Sequence, residues 1–207
     1  MTNLSYDKTY SITFGDEKIK YGILYGNEKI IFIKAGAPRD IDEEEETHEA
    51  YIDKYLIMAH RVHDRIGATV ICASNSDLSG KTQLKADKTL IEKVIADLGL
   101  DHYELHFIGN SDGGDHSLKL SQQFPETVKF LGINSSWTSI DDFLERIQSL
   151  PGVKKIFAYG AKDVDFDFIV PRLKTLECSN LEIIVLDGID HEFTDKIDDF
   201  IALIDLI

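Results

Sequence analysis

From residue 67 to the C-terminus, short apolar runs alternate with segments of helical period without a break, and this restricts the chain to one kind of architecture. Strands are predicted over residues 68–73, 104–108, 128–133, 153–159 and 181–186, and helices over 87–98, 114–123, 139–149, 167–177 and 195–206. A strand, a helix and a strand again means a parallel sheet with helices on both faces. The run Ala68-Thr69-Val70-Ile71-Cys72-Ala73 agrees, because a central parallel strand is buried on both sides and reads as almost continuously apolar.

Before this region the pattern differs. Apolar runs at 10–14, 19–25 and 29–34 are separated by Gly15-Asp16-Glu17 and Gly26-Asn27-Glu28, a spacing that predicts an antiparallel meander. Tyr51, Tyr55, Leu56, Ala59, Val62 and Ile66 then recur every three or four residues, predicting an amphipathic helix over 44–66. The total is eight strands in a mostly parallel α/β sheet. At 207 residues, with no repeat and no Pro- or Gly-rich linker, residues 1–207 read as a single domain.

Charge narrows the partners. With 22 basic and 37 acidic residues the net charge is −15, a field that repels phosphate backbones and anionic lipid, so neither nucleic acid nor membrane is an expected partner. No group of Lys and Arg in the sequence forms an evident basic pocket, which favours neutral small substrates. No basic start followed by an apolar run opens the chain, and the expected compartment is the cytoplasm. Cys72 and Cys178 are too few for a disulfide framework or thiolate metal site. His102, Glu104 and His106 alternate as metal ligands could, but a covered parallel strand gives little access. The expectation is no metal and no cofactor.

Ligands of open parallel sheets gather beyond the carboxyl ends of the strands. There the strand at 104–108 runs into Gly109-Asn110-Ser111-Asp112-Gly113-Gly114 and then a helix. Gly-x-Ser-x-Gly between a strand and a helix presents its serine on a tight, strained turn, which makes Ser111 the candidate nucleophile. A serine hydroxyl needs a base, and the base needs an orienting carboxylate. The strand at 153–159 ends in Gly160-Ala161-Lys162-Asp163 and the last strand in Asp187-Gly188-Ile189-Asp190-His191, giving Asp163 as orienter and His191 as base. Asp165 is the alternative acid. The oxyanion donors are expected to be the N–H of Asp112 and, from the loop after the third strand, that of Ala37. Trp137 has two readings, a wall of the substrate cleft or a helix-packing residue.

These features together resemble the α/β-hydrolase superfamily from about Lys29 to the C-terminus, carried by Gly109-Asn110-Ser111-Asp112-Gly113-Gly114, Gly160-x-x-Asp163 followed by Val170-Pro171, and Gly188-x-x-His191. Family members typically have His-Gly after the third strand, where this chain has Ala35-Gly36. The resemblance implies an eight-stranded hydrolase fold, and only 134–152 lie between the sixth and seventh strands, so it implies no cap domain. Gly36 and Trp137 would border the substrate. The implied activity is serine hydrolysis of a small neutral carboxylic ester, with thioesters or amides behind. The other reading is a non-catalytic member that binds a small ligand or partner in the same cleft.

Overall fold

The computed structural model describes residues 4–14, 17–36, 49–75 and 80–207. Among them are eight strands: β1 (Lys8–Phe14), β2 (Glu17–Leu24), β3 (Asn27–Lys34), β4 (Ala68–Ala73), β5 (Glu104–Asn110), β6 (Thr127–Ile133), β7 (Lys154–Gly160) and β8 (Leu181–Leu186). The helices are α1 (Glu49–Ile66), α2 (Gly80–Leu98), α3 (Asp112–Ser121), α4 (Ile140–Gln148), α5 (Phe166–Lys174) and α6 (Ile197–Ala202), the last continued by a 3₁₀ turn at Leu203–Leu206. The strands form one sheet in the order β1-β2-β4-β3-β5-β6-β7-β8. All neighbours are parallel except β1 with β2 and β2 with β4.

The sheet is covered on both faces, as a parallel sheet requires. Leu90, Ile91 and Val94 of α2, Leu118 of α3, Phe143 and Ile147 of α4, and Ile169 and Leu173 of α5 pack on one face. Tyr55, Met58 and Val62 of α1 and Phe200 and Ile201 of α6 pack on the other. Strand β3 shows why both layers are needed: Ile30 and Phe32 enter the first core, Ile31 and Ile33 the second. Alternate residues of a strand point to opposite faces, so four consecutive large apolar residues can be buried only between two layers.

That run also corrects the predicted meander. β1 and β2 form an antiparallel pair, but β3 leaves β2 and runs parallel between β4 and β5. The Gly26-Asn27 turn is therefore not a hairpin: the Asn27 N–H reaches the Gly67 carbonyl at 2.7 Å and the Gly26 N–H donates to Thr69 Oγ1 at 2.9 Å, both at the start of β4. A β3 at the sheet's edge would leave half its hydrogen-bonding groups and much apolar surface unpaired. Helix α2 begins at Gly80, seven residues ahead of its predicted start, because its first turns carry polar residues that face a cavity instead of the core. The predicted start of α1 lies outside the described residues.

Between β6 and β7 the chain makes only α4, with no inserted cap. β4 lies to one side of β3 and β5 to the other, so the connections leave in opposite directions there. This is the switch point at which open sheets form a crevice. Among the described residues no helix is long and apolar enough to cross a membrane.

Candidate active site

The loop after β5 opens beside that switch point, and it is sharply bent. Ser111 has φ 51° and ψ −126°, a conformation that costs a non-glycine residue about 1–3 kcal/mol and persists only where its surroundings impose it. They do so on several sides. The Ser111 N–H donates to the Ile133 carbonyl at 2.9 Å, while its own carbonyl accepts from Gly114 N–H at 2.8 Å and Ser136 N–H at 3.0 Å. Glycines supply the space: a Cβ on Gly109 would lie 2.2 Å from the Gly113 carbonyl oxygen, and one on Gly113 would lie 2.4 Å from that of Ala35. Both contacts are with backbone that cannot move aside.

The bend aims Ser111 Oγ at the loop after β8, where His191 Nε2 lies 2.9 Å away. On the other side of the imidazole, His191 Nδ1 is 2.7 Å from Asp163 Oδ2, at the end of β7. Asp163 is 6% exposed, and its second oxygen accepts from the Asp165 N–H at 2.8 Å. The carboxylate is thus fixed at both ends, and Asp165 serves the turn instead of the histidine. With Nδ1–H donated to a buried carboxylate, Nε2 presents its lone pair to the hydroxyl.

The hydrogen bond that His191 donates to Asp163 raises the pKa of His191 above the ordinary 6.5, against the opposing effect of burial and with help from the charges of Asp163, Glu192 and Asp165. A base must be neutral, so kcat/KM of any reaction that uses this imidazole should fall as pH drops, with an acid limb centred above 6.5. The sign for stability is opposite: a raised folded-state pKa stabilises below the unfolded pKa, and the gain is lost as pH rises through the folded one. A pH–rate profile checks the first statement, and a limb centred below 6.5 would contradict it.

Two residues of this site carry no sequence motif. Asn134, at φ 41° just after β6, donates through Nδ2 to the carbonyls of Asp190 at 3.1 Å and His191 at 3.0 Å, and its Oδ1 accepts from Gly160 N–H at 2.8 Å. One amide ties the ends of β6 and β7 to the loop that carries the imidazole. Ser136 Oγ lies 3.4 Å from Ser111 Oγ and donates to Asp112 Oδ1 at 2.5 Å. The one signal that could have found both is position: Asn134-Ser135-Ser136 follow the strand next to β5.

Asp112 opens α3, so its N–H belongs to the first turn, where amides have no partner within the helix and the dipole is positive. Ala37 lies outside the described residues. Gly36 does approach the nucleophile, since a Cβ there would stand 3.0 Å from Ser111 Cβ. Trp137 packs against helices and also borders open space. It stacks between Phe143 at 5.8 Å and Phe168 at 6.0 Å, and it lines a cavity of about 680 Å³ that begins at Asp112 and Ser136. Lys81, Lys119 and Arg146, from α2, α3 and α4, line the same cavity, so the fold gathers basic residues that look scattered in sequence. His102 precedes β5, which removes it from the strand face shared by Glu104 and His106.

No protein-family model and no curated protein matches this sequence. Solved structures do. The chain is similar to an α/β serine hydrolase homologue from Coxiella burnetii, with a TM-score of 0.72, 13% identity and 96% of each chain covered. It is similar to a putative α/β hydrolase from Agrobacterium tumefaciens, with a TM-score of 0.68, 16% identity, and 95% of this chain and 92% of that one covered. A lidless α/β serine hydrolase from Xanthomonas campestris aligns with a TM-score of 0.65 and 16% identity, over 97% of this chain and 94% of that one. The chain has the α/β-hydrolase fold.

Proposed function

Starting from an α/β-hydrolase fold without a cap, we propose that this chain is a single-domain serine hydrolase of small neutral carboxylic esters. One observation carries the reading: a continuous relay at a strand-to-helix bend, 2.9 Å from Ser111 Oγ to His191 Nε2 and 2.7 Å from His191 Nδ1 to Asp163. In the first half-reaction His191 takes the Ser111 proton as Oγ attacks the ester carbonyl. Asp163 stabilises the imidazolium that forms. The oxyanion is held by the Asp112 N–H, with Ala37 as the second donor from the loop after β3. His191 then gives its proton to the leaving alcohol. Water, deprotonated by the same imidazole, releases the acid from the acyl-enzyme on Ser111.

Substrate size follows from the surroundings. Among the described residues no cap closes over Ser111, and the cavity beside it is lined about as much by polar as by apolar groups, which gives a long acyl chain little to bury against. A series of nitrophenyl esters tests this. Acetate, butyrate and palmitate esters should be cleaved with kcat/KM within about tenfold of one another, because methylenes left in water add none of the roughly 0.8 kcal/mol that each buried one contributes. A kcat/KM for palmitate about a hundredfold or more above that for acetate would overturn the size assignment.

A further inference from the structure

Helix α3 leads away from the nucleophile, and one of its faces is built from charged and titratable residues. Asp112, Asp115, His116 and Lys119 stand at helical spacing and all line the cavity that begins at Ser136. Lys119 and Arg146 share Asp115, at 2.6 Å and 3.0 Å. The lining therefore holds three cations against two carboxylates, close to balance.

Behind this face lies a buried network that the relay does not use. Asp87 of α2 is fully buried and accepts from three groups on three other elements. Tyr21 Oη of β2 donates at 2.8 Å, Lys34 Nζ of β3 lies 3.0 Å away, and His116 Nε2 lies 2.6 Å away. Lys34 also donates to the Ser74 carbonyl at 2.7 Å. Burial alone would raise the Asp87 pKa, but Lys34 and His116 hold it below the ordinary carboxylate value, so Asp87 is ionised. An ionised carboxylate only accepts, so His116 Nε2 carries the hydrogen. Burial, reinforced by the Lys34 charge, lowers the His116 pKa and keeps the ring neutral. His116 Nδ1 is consequently an acceptor, and it takes no partner among the described residues.

A ring that is 8% exposed, fixed from behind and bordering a cavity next to the nucleophile is a built recognition group. We propose that His116 Nδ1 accepts a hydrogen bond from an uncharged hydroxyl of the substrate, so that the preferred esters carry a hydroxylated group along α3. The inference rests on the hydrolase reading and names its substrate class. Charge and hydrogen-bonding capacity select among donors: Lys81, Lys119 and Arg146 outnumber Asp112 and Asp115 and oppose an ammonium, and an anionic group without a hydrogen has nothing to donate to the Nδ1 lone pair. From Asp112 to His116 the helix advances about 6 Å, which places the hydroxyl several bonds from the scissile carbonyl.

The test compares esters in pairs, since the hydroxylated group can belong to either side of the ester bond. One pair is acetylated glucose, bearing its acetyl group on the primary hydroxyl, against cyclohexylmethyl acetate. The other is ethyl ω-hydroxyhexanoate against ethyl hexanoate. The hydroxylated member of at least one pair should be favoured about tenfold in kcat/KM, the scale of one well-placed hydrogen bond in a site built for it. His116→Leu removes the acceptor while Tyr21 and Lys34 still pair Asp87, and it should bring that ratio within about twofold of one. A ratio cancels any general change in rate.

A second readout needs no variant. Titrating the wild-type protein with glucose and with hexane-1,6-diol, both uncharged, should shift the His116 ring nitrogen resonances for at least one of them, and no shift with either overturns the proposal. If plain esters are cleaved but neither pair shows a preference, or His116→Leu keeps it, this inference fails alone. If wild-type protein cleaves no ester and takes no fluorophosphonate, the hydrolase reading fails and this one with it.

Discussion

Ser111→Ala is expected to lower kcat for ester hydrolysis by about 10⁴- to 10⁶-fold while leaving the fold intact, because the residue acts as one member of a unit. Its hydroxyl is the atom that the bend at φ 51° presents, and removing it leaves His191 with no proton to accept. His191→Ala should cost a similar factor. The double variant should then lose little more, since either change alone already abolishes the relay. Additive losses in the double variant would mean that the two side chains act separately, against the 2.9 Å contact between them. The loss should be confined to activity: alanine removes one oxygen, and the hydrogen bonds that hold the bend are made by the Ser111 backbone.

The second large effect lies behind the site. Asp87→Ala should destabilise the protein by about 3–5 kcal/mol, because it strands a buried lysine, a tyrosine hydroxyl and an imidazole in one step. For a chain of this length that corresponds to a fall in Tm of roughly 10 °C. The contrast with a surface pair is instructive. Arg61 and Arg65 both bind Asp205, but these side chains are 36–42% exposed, and such pairs are worth about 0–1 kcal/mol. Asp205→Ala should therefore shift a urea midpoint far less than Asp87→Ala. A joint replacement of Lys34, Asp87 and His116 by apolar residues of similar volume should recover much of the loss, because the cost comes from unpaired groups and not from the lack of a charge pair. Near-equal urea midpoints for Asp87→Ala and wild type would show that the network contributes no such constraint.

What could be read from sequence follows the range of the physics. Strand and helix periods are local, so the alternation after residue 67 and the eight-stranded, mostly parallel sheet without a cap were legible. Gly109 to Gly114 is also local, because the close approach of α3 to β5 demands glycines within a few residues. Strand pairing is not local. Gly26-Asn27 has hairpin composition, and only the need to cover both faces of Ile30 to Ile33 moves β3 to the centre.

The same limit applies around the site. Ser111, Asp163 and His191 each lie in the segment that follows a strand, so their order along the chain could be anticipated; their distances could not. Tyr21, Lys34, Asp87 and His116 lie on four elements and share no motif, and each alone has the look of an ordinary surface residue. Lys81, Lys119 and Arg146 gave no sign of a common cavity for the same reason. Asn134 carries no motif, although its amide joins two strand ends to the histidine loop.

Whether the relay makes Ser111 a nucleophile is tested most directly by a fluorophosphonate. Wild-type protein should gain the mass of one adduct, mapped to the peptide containing Ser111, with labelling absent in Ser111→Ala and strongly slowed in His191→Ala. Wild-type protein that stays unmodified, or that carries the adduct on another residue, would contradict the account and favour a cleft that binds without reacting.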